Sequence, residues 1–201
     1  MKRRNALALA LTGLAGSSCV AFRSWRSRSV PATGGEALQI RLADTGTTLL
    51  QKDRRWADDR LGPTAVTLGT HGCTVCCVAM ACTRLGVPLT PRELNERLVL
   101  NGGYLPQGWL VWNAIPRVTA GRVTADYLPQ PSHAAIDQAL RERAYPVVKH
   151  FLPGGTPHWL LVLGKEGQEY LVRDPLKGTR ELLTLSSLTP RIHAVRLVRK
   201  A

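Results

Sequence analysis

The sequence predicts an α+β fold, in which helices come first along the chain and an antiparallel sheet follows. Helical patterns fill the stretch before Tyr145, whereas short apolar runs separated by turn residues dominate after it. No segment repeats, and strands do not alternate with helices as they do in parallel α/β folds. With 201 residues, of which 44% are hydrophobic and 20% charged, the chain has the composition of one globular domain with a sizeable core.

The first 21 residues have the pattern of an export signal. Basic residues at positions 2–4 precede an apolar segment, residues 6–16, which suits a signal peptide and is short for a membrane span. The adjacent arginines resemble a twin-arginine signal, Cys19 lies where a lipoprotein signal would be lipidated, and a plain signal cut near Ala21 is the alternative. We expect export to the periplasm, cell envelope or exterior, with membrane anchoring only through this N-terminus.

A composition shift separates this signal from the domain. Residues 22–36 are rich in Ser, Arg, Pro and Gly, which predicts a flexible linker before a domain spanning residues 37–201. The formal net charge is +13, but six basic residues and no acidic residue fall within the first 28 positions. Because the remaining positive charge forms no dense run, we expect no nucleic-acid partner.

Local patterns predict the elements of the domain in order. Alternating apolar residues at 38, 40 and 42 predict a first strand, and a helix follows Gly72 and ends at Gly86. Thr90 and Glu93 form a capping box that opens a second helix, which runs to about Leu100. Two further helices are expected near 109–116 and 132–144, and strands at 147–152, 159–163, 170–172 and 194–198.

Cys73 is the strongest candidate for a nucleophile. It follows Gly72 at the predicted start of a helix whose next residues are small and apolar. The partial positive charge and the unpaired N–H groups of a helix N-terminus favour the thiolate, which is the form that attacks carbonyl carbons.

His158 and Asp174 can supply the other two members of a catalytic triad. They flank two apolar runs joined by Gly164–Gln168, a candidate five-residue hairpin loop centred on Glu166. Residues equidistant from the centre of a hairpin face each other, which brings their Cβ atoms to roughly 4.5–5.5 Å. An aspartate that holds one imidazole nitrogen leaves the other for a nucleophile. Such a pair is often only a surface ion pair, but a cysteine at a helix start favours the catalytic interpretation.

The other cysteines of the helix invite a redox or metal interpretation. Cys73 and Cys76 form a CxxC motif, and Cys77 and Cys82 follow within the same helix. A thioredoxin-like site needs a preceding strand in a βαβ unit, and a structural zinc site needs a second Cys/His pair. We therefore expect Cys76, Cys77 and Cys82 to be small buried residues, and we expect neither a cofactor nor a metal. His71 is assigned to local structure or substrate contact.

A series of short motifs runs in order from about residue 50 to residue 198. It comprises Gln51–Trp56, Thr67–Cys73, Ala79–Met80, Leu85–Val87, Thr90–Pro91 with Leu94–Asn95, Asn101–Gly103, Pro157–Trp159 with Val162–Gly164, and Arg173–Pro175. This series resembles the papain-like cysteine peptidases, and within them the bacteriocin double-glycine leader peptidases and their stand-alone relatives. The resemblance implies a papain-like fold whose nucleophile begins a central helix packed on the C-terminal sheet.

The resemblance also implies residue roles. Cys73 corresponds to the nucleophile, His158 to the base, Asp174 to the residue that orients the base, and Gln51 to the side-chain donor of the oxyanion hole beside the N–H of Cys73. In papain-like enzymes this glutamine lies only a few residues before the cysteine, so here a longer loop must return it to the site, and a polar loop residue is the alternative. The transporter parts of true leader peptidases have no counterpart, so cleavage after double glycine is not carried over.

Together these features predict an exported cysteine peptidase or amidase with a peptide or protein substrate. Thiolate attack would form a tetrahedral oxyanion and then a thioester acyl-enzyme, which water hydrolyses. Two alternatives remain open: an acyl-transfer enzyme that uses the same site, and a non-catalytic peptide-binding module of the same fold.

Overall fold

The computed structural model describes residues 29–44 and 47–201. The export signal predicted at residues 1–21, including Cys19, and the first part of the predicted linker lie outside these ranges. Within them the chain forms helices and antiparallel strands, which agrees with the predicted α+β class. No helix in the described ranges is long and apolar enough to cross a membrane.

Five α-helices lie in the described part of the chain: α1 (Leu68–His71), α2 (Cys73–Arg84), α3 (Pro91–Leu100), α4 (Ile115–Val118) and α5 (His133–Arg141). The helix expected near residues 109–116 is divided into a 3₁₀ turn, Trp112–Ala114, followed by α4. The capping box at the start of α3 forms as predicted. The Glu93 N–H donates to the Thr90 hydroxyl, and the Thr90 N–H donates to the Glu93 carboxylate.

The strands of the same ranges are β1 (Val30–Pro31), β2 (Thr33–Arg41), β3 (Val123–Tyr127), β4 (Tyr145–Phe151), β5 (Pro157–Arg173), β6 (Leu183–Thr184), β7 (Arg191–Ile192) and β8 (Ala194–Lys200). Six of them form one antiparallel sheet in the order β2-β5-β4-β8-β3, with β6 also paired to β5, and β1 pairs with β7. The sequence pattern did not predict β3, whose alanine and aspartate are weak strand formers; pairing with β8 stabilises it.

The loop expected at residues 164–168 is wrong, because these residues belong to β5. These residues continue the strand, because residues 38–41 of β2 pair with residues 164–167. The Nε2 atom of His158 nevertheless lies 2.7 Å from Asp174 Oδ1. A straight strand would separate residues sixteen positions apart by roughly 50 Å, so the chain must reverse within this element. Gly167, with φ of 60°, lies beside the midpoint and has the left-handed backbone that a tight reversal requires.

The predicted linker is wrong in its last part, because residues 30–31 belong to β1 and residues 33–36 belong to β2. Gly34 and Gly35, which the composition assigned to flexible chain, have φ of 142° and 75°. A Cβ atom on Gly34 would lie 2.7 Å from His133 Nε2, and one on Gly35 would lie 2.3 Å from Asp137 Oδ2. These glycines therefore allow β2 to lie directly against α5, and the ordered domain begins before residue 37.

A buried polar cluster fastens this part of β2. The Lys165 ammonium donates to Asp137 Oδ1 at 2.6 Å and to the Gly34 carbonyl at 2.7 Å, and both charged side chains are fully buried. The Tyr170 hydroxyl donates to the same carboxylate at 2.9 Å, and the Glu36 N–H donates to its other oxygen at 2.9 Å. The cluster therefore ties β2, α5 and β5 together.

Helix α2 is the centre of the core. Nine of its twelve residues are buried, as in a helix surrounded by protein on all sides. Cys76, Cys77 and Cys82 are fully buried among them, which confirms their predicted location. The Cys77 thiol donates to the Trp159 carbonyl at 3.4 Å, so the helix lies close against β5. This packing fixes where the N-terminus of α2 meets the sheet.

Candidate active site

The turn before α2 determines the position of Cys73. Gly72 is the N-cap residue, and a Cβ atom there would lie 2.4 Å from the Leu68 carbonyl oxygen, so only glycine fits between α1 and α2. Cys73 is the first residue of α2, so its N–H has no partner within the helix. Its side chain is 6% exposed, and it lines an open cleft.

His158 and Asp174 form a buried pair. His158 Nε2 lies 2.7 Å from Asp174 Oδ1, and the exposed fractions of these residues are 2% and 4%. The Leu176 N–H donates to the same carboxylate oxygen at 2.8 Å. Since Nε2 is engaged by the carboxylate, Nδ1 is the ring nitrogen that remains for another partner. The two residues therefore meet as the sequence predicts.

The electrostatics connect this pair to Cys73. Burial alone would lower the pKa of His158, but hydrogen bonds with Asp174 and with the Cys73 side chain, and the charges of both, raise it to about 9. Burial alone would raise the pKa of Asp174, but the hydrogen bond and charge of His158 hold it below its usual range. At neutral pH this environment favours the imidazolium form of His158, held beside the Asp174 carboxylate and the Cys73 side chain.

Gln51 reaches the same cleft despite its distance in sequence. Its side chain is buried, and its Nε2 donates to the Gly69 carbonyl at 3.1 Å, with the Thr70 carbonyl at 3.4 Å. Its main-chain N–H donates to the Pro175 carbonyl at 3.0 Å, next to Asp174. The loop between Gln51 and Cys73 therefore returns Gln51 to the cleft, although Gln51 lies farther from the cysteine in sequence than the glutamine of papain-like enzymes does.

The cleft has a volume of about 350 Å³ and is open to solvent on one side. Cys73, His158 and Gln51 lie in its walls, and its other lining residues are Lys52, Gly69, Thr70, His71, Leu152, Thr156, Pro157 and Leu176. His71 is exposed and lines the cleft, and its assignment to local structure or substrate contact stays a prediction.

The remaining cysteines of α2 have a different environment. Burial, and to a smaller extent the charge of Cys73, raise the pKa of the Cys76 and Cys77 thiols far above the ordinary value. Burial raises the pKa of Cys82 to about 12. These thiols are therefore un-ionised at physiological pH and are poor nucleophiles. In the ranges 29–44 and 47–201, no three His, Cys, Asp or Glu side chains are arranged to hold a metal ion.

His150 is a neighbour of the pair that the sequence analysis did not single out. It lies on β4 directly opposite His158 on β5, and the two ring centroids are 5.4 Å apart. The rule that predicted the meeting of His158 and Asp174 applies here too, because His150 and His158 are equidistant from Gly154 in the preceding turn. That symmetry was the signal that could have identified it.

No protein-family model matches the chain, and a search of curated proteins finds no match.

Proposed function

We propose that this protein is an exported cysteine peptidase or amidase of papain-like architecture. Cys73 is the nucleophile, His158 the base and Asp174 the residue that orients the base. The observation that carries the proposal is the buried contact between His158 and Asp174, together with the coupling of His158 to a cysteine at a helix start in an open cleft. A solvated surface ion pair would have neither this burial nor this third partner.

The proposed reaction proceeds through an acyl-enzyme. The Cys73 thiolate attacks the carbonyl carbon of a bound amide, and the carbonyl electron pair moves to oxygen. His158 gives its proton to the leaving nitrogen as the C–N bond breaks, which leaves a thioester on Cys73 and a neutral imidazole. The imidazole then takes a proton from water as that water attacks the thioester, and the acid product leaves with Cys73 again a thiolate and His158 again protonated.

The oxyanion would be stabilised by two donors. One is the N–H of Cys73, which a helix start leaves without an intrahelical partner. The other is the Gln51 side chain, whose Nε2 carries two hydrogens. Its better contact, to the Gly69 carbonyl at 3.1 Å, needs one of them. The contact to the Thr70 carbonyl is longer, at 3.4 Å, so the second hydrogen is the one that can be donated to a substrate oxyanion.

The substrate class follows from the form of the cleft. An open groove lined by main-chain groups and by both apolar and basic side chains suits an extended peptide. With an export signal at residues 1–21, the substrate would be a peptide or protein of the cell envelope or exterior. Transfer of the acyl group to an amine would use the same residues, and added amines would then divert the thioester from hydrolysis.

The test is selective alkylation of the full chain with iodoacetamide, mapped by peptide mass spectrometry. We expect Cys73 to react at least about tenfold faster at neutral pH than Cys76, Cys77 or Cys82, since only its thiol is coupled to an imidazolium. His158→Ala should remove this selectivity. His193→Ala, at another histidine of the sheet region, should retain it. Uniform slow labelling of all four thiols, or retained selectivity in His158→Ala, would overturn the proposal.

A further inference from the structure

His150 packs directly against the imidazole of His158. The two residues are cross-strand partners in β4 and β5, so their side chains project from the same face of the sheet. Their ring centroids are 5.4 Å apart, with an interplanar angle of 80°. His150 is 3% exposed, so its ring is buried beside that of His158. His158 therefore has Asp174 at Nε2 and a second imidazole at the flank of its ring.

Burying a histidine side chain only for packing at this position would cost free energy. Among the described residues, neither of its ring nitrogens makes a hydrogen bond of ordinary geometry, although the main chain of Phe151 acts on the ring electrostatically. A buried polar group without a partner costs about 1–3 kcal/mol, and a phenylalanine would fill a similar volume without that cost. The presence of a histidine rather than an apolar ring at this place is therefore better explained by the effect of its protonation on His158.

Four groups act on the charge of His150. Burial lowers its pKa, and the charge of His158 lowers it further, as does that of His193 to a smaller extent. The Asp174 carboxylate and the main chain of Phe151 oppose this effect. At neutral pH only one of the two rings therefore carries the additional proton. That ring is His158, because the Asp174 carboxylate contacts His158 directly.

We propose that His150 is a positioning residue for this proton and sets the acid limit of the active site. The proposal rests on the function proposed above. While His150 is neutral, His158 stays protonated beside the Cys73 thiolate. When acid protonates His150, two adjacent imidazolium rings repel each other. The proton on His158 then moves to sulfur, so that an N–H bond breaks and an S–H bond forms, and the reactive thiolate is lost.

The experiment measures the rate of Cys73 alkylation by iodoacetamide from acid to neutral pH, with each profile normalised to its own plateau. In the wild type we expect an acid limb at the pH where His150 takes up its proton. His150→Phe keeps a ring without titrating nitrogens, and His150→Gln keeps polar atoms without a titrating ring. Both should displace the acid limb to lower pH, because the thiolate is then lost only when the sulfur is protonated without the help of His150. His133→Gln is the matched control, because His133 is not among the groups that act on His150, and it should retain the wild-type limb.

The inference would be overturned if the acid limbs of both His150 variants superimposed on that of the wild type or lay at higher pH. Ring-nitrogen NMR of the wild type tests the same point without a substitution. It should show His158 protonated and His150 neutral at pH 7, and the reverse assignment would refute the inference. Failure of the proposed function has a different signature, because Cys73 would then show no selective alkylation at any pH.

Discussion

The buried cluster around Lys165 allows a quantitative test of how the fold is held together. Lys165 and Asp137 are both fully buried, and their charged atoms lie 2.6 Å apart. Asp137→Asn keeps the shape of the side chain and removes its charge, which leaves the ammonium without a counter-ion. Breaking a buried ion pair from one side costs about 3–5 kcal/mol. For a chain of this size we therefore expect the midpoint of thermal unfolding to fall by about 6–20 °C.

The assay is thermal unfolding followed by far-UV circular dichroism at neutral pH. The matched control is Glu166→Gln, which breaks an exposed ion pair with Arg41 between β2 and β5 and should cost about 1 kcal/mol or less. The double variant Asp137→Asn with Lys165→Met removes both charges and should be more stable than Asp137→Asn alone. If the double variant loses the sum of the two single effects, or Asp137→Asn costs no more than Glu166→Gln, the charges are not coupled and the reasoning is refuted.

Two further predictions concern the site. Gly72→Ala places a methyl group 2.4 Å from the Leu68 carbonyl oxygen, so we expect a lower unfolding midpoint and loss of selective Cys73 alkylation; an unchanged alkylation rate would contradict this. The folded pKa of His158 is raised from 6.5 to about 9, so its contribution to stability, about 3 kcal/mol, is complete below pH 6.5 and is lost as pH rises through 9. Asp174→Asn should flatten this fall in urea unfolding free energy, and an equally steep fall would exclude Asp174 as its cause.

Local patterns in the sequence were sufficient for the helices that matter to the site. The start of α2 follows from Gly72 and the apolar run after Cys73, and the start of α3 follows from the capping box at Thr90. The meeting of His158 and Asp174 was also predictable, because symmetry about a chain reversal depends only on residue numbers. These features involve neighbours along the chain or a single turn, so propensity and spacing describe them well.

The features that sequence analysis missed depend on contacts between distant residues. Gly34 and Gly35 look like linker in isolation, yet the Gly34 carbonyl accepts a hydrogen bond from Lys165, 131 positions later. The loop expected at residues 164–168 became strand because β2 pairs with it, and β2 itself had been assigned in part to the linker. The two errors are separate, because residues 38–41, which pair with residues 164–167, had been predicted as a strand, and the sequence did not show which segment this strand would pair with.

The turn after β5 explains how separate segments are brought to one site. Asp174 is followed by proline, and the Lys177 N–H donates to the Asp174 carbonyl at 2.9 Å, which closes a turn with aspartate and proline at the positions they favour. The same turn holds the Asp174 carboxylate through the Leu176 N–H and holds the main chain of Gln51 through the Pro175 carbonyl. Orientation of the proposed base and placement of the proposed oxyanion donor therefore depend on one short segment. A change in this turn would therefore disturb the Asp174 carboxylate and Gln51 together. The short Arg173–Pro175 motif thus determines the position of Gln51 as well as that of Asp174.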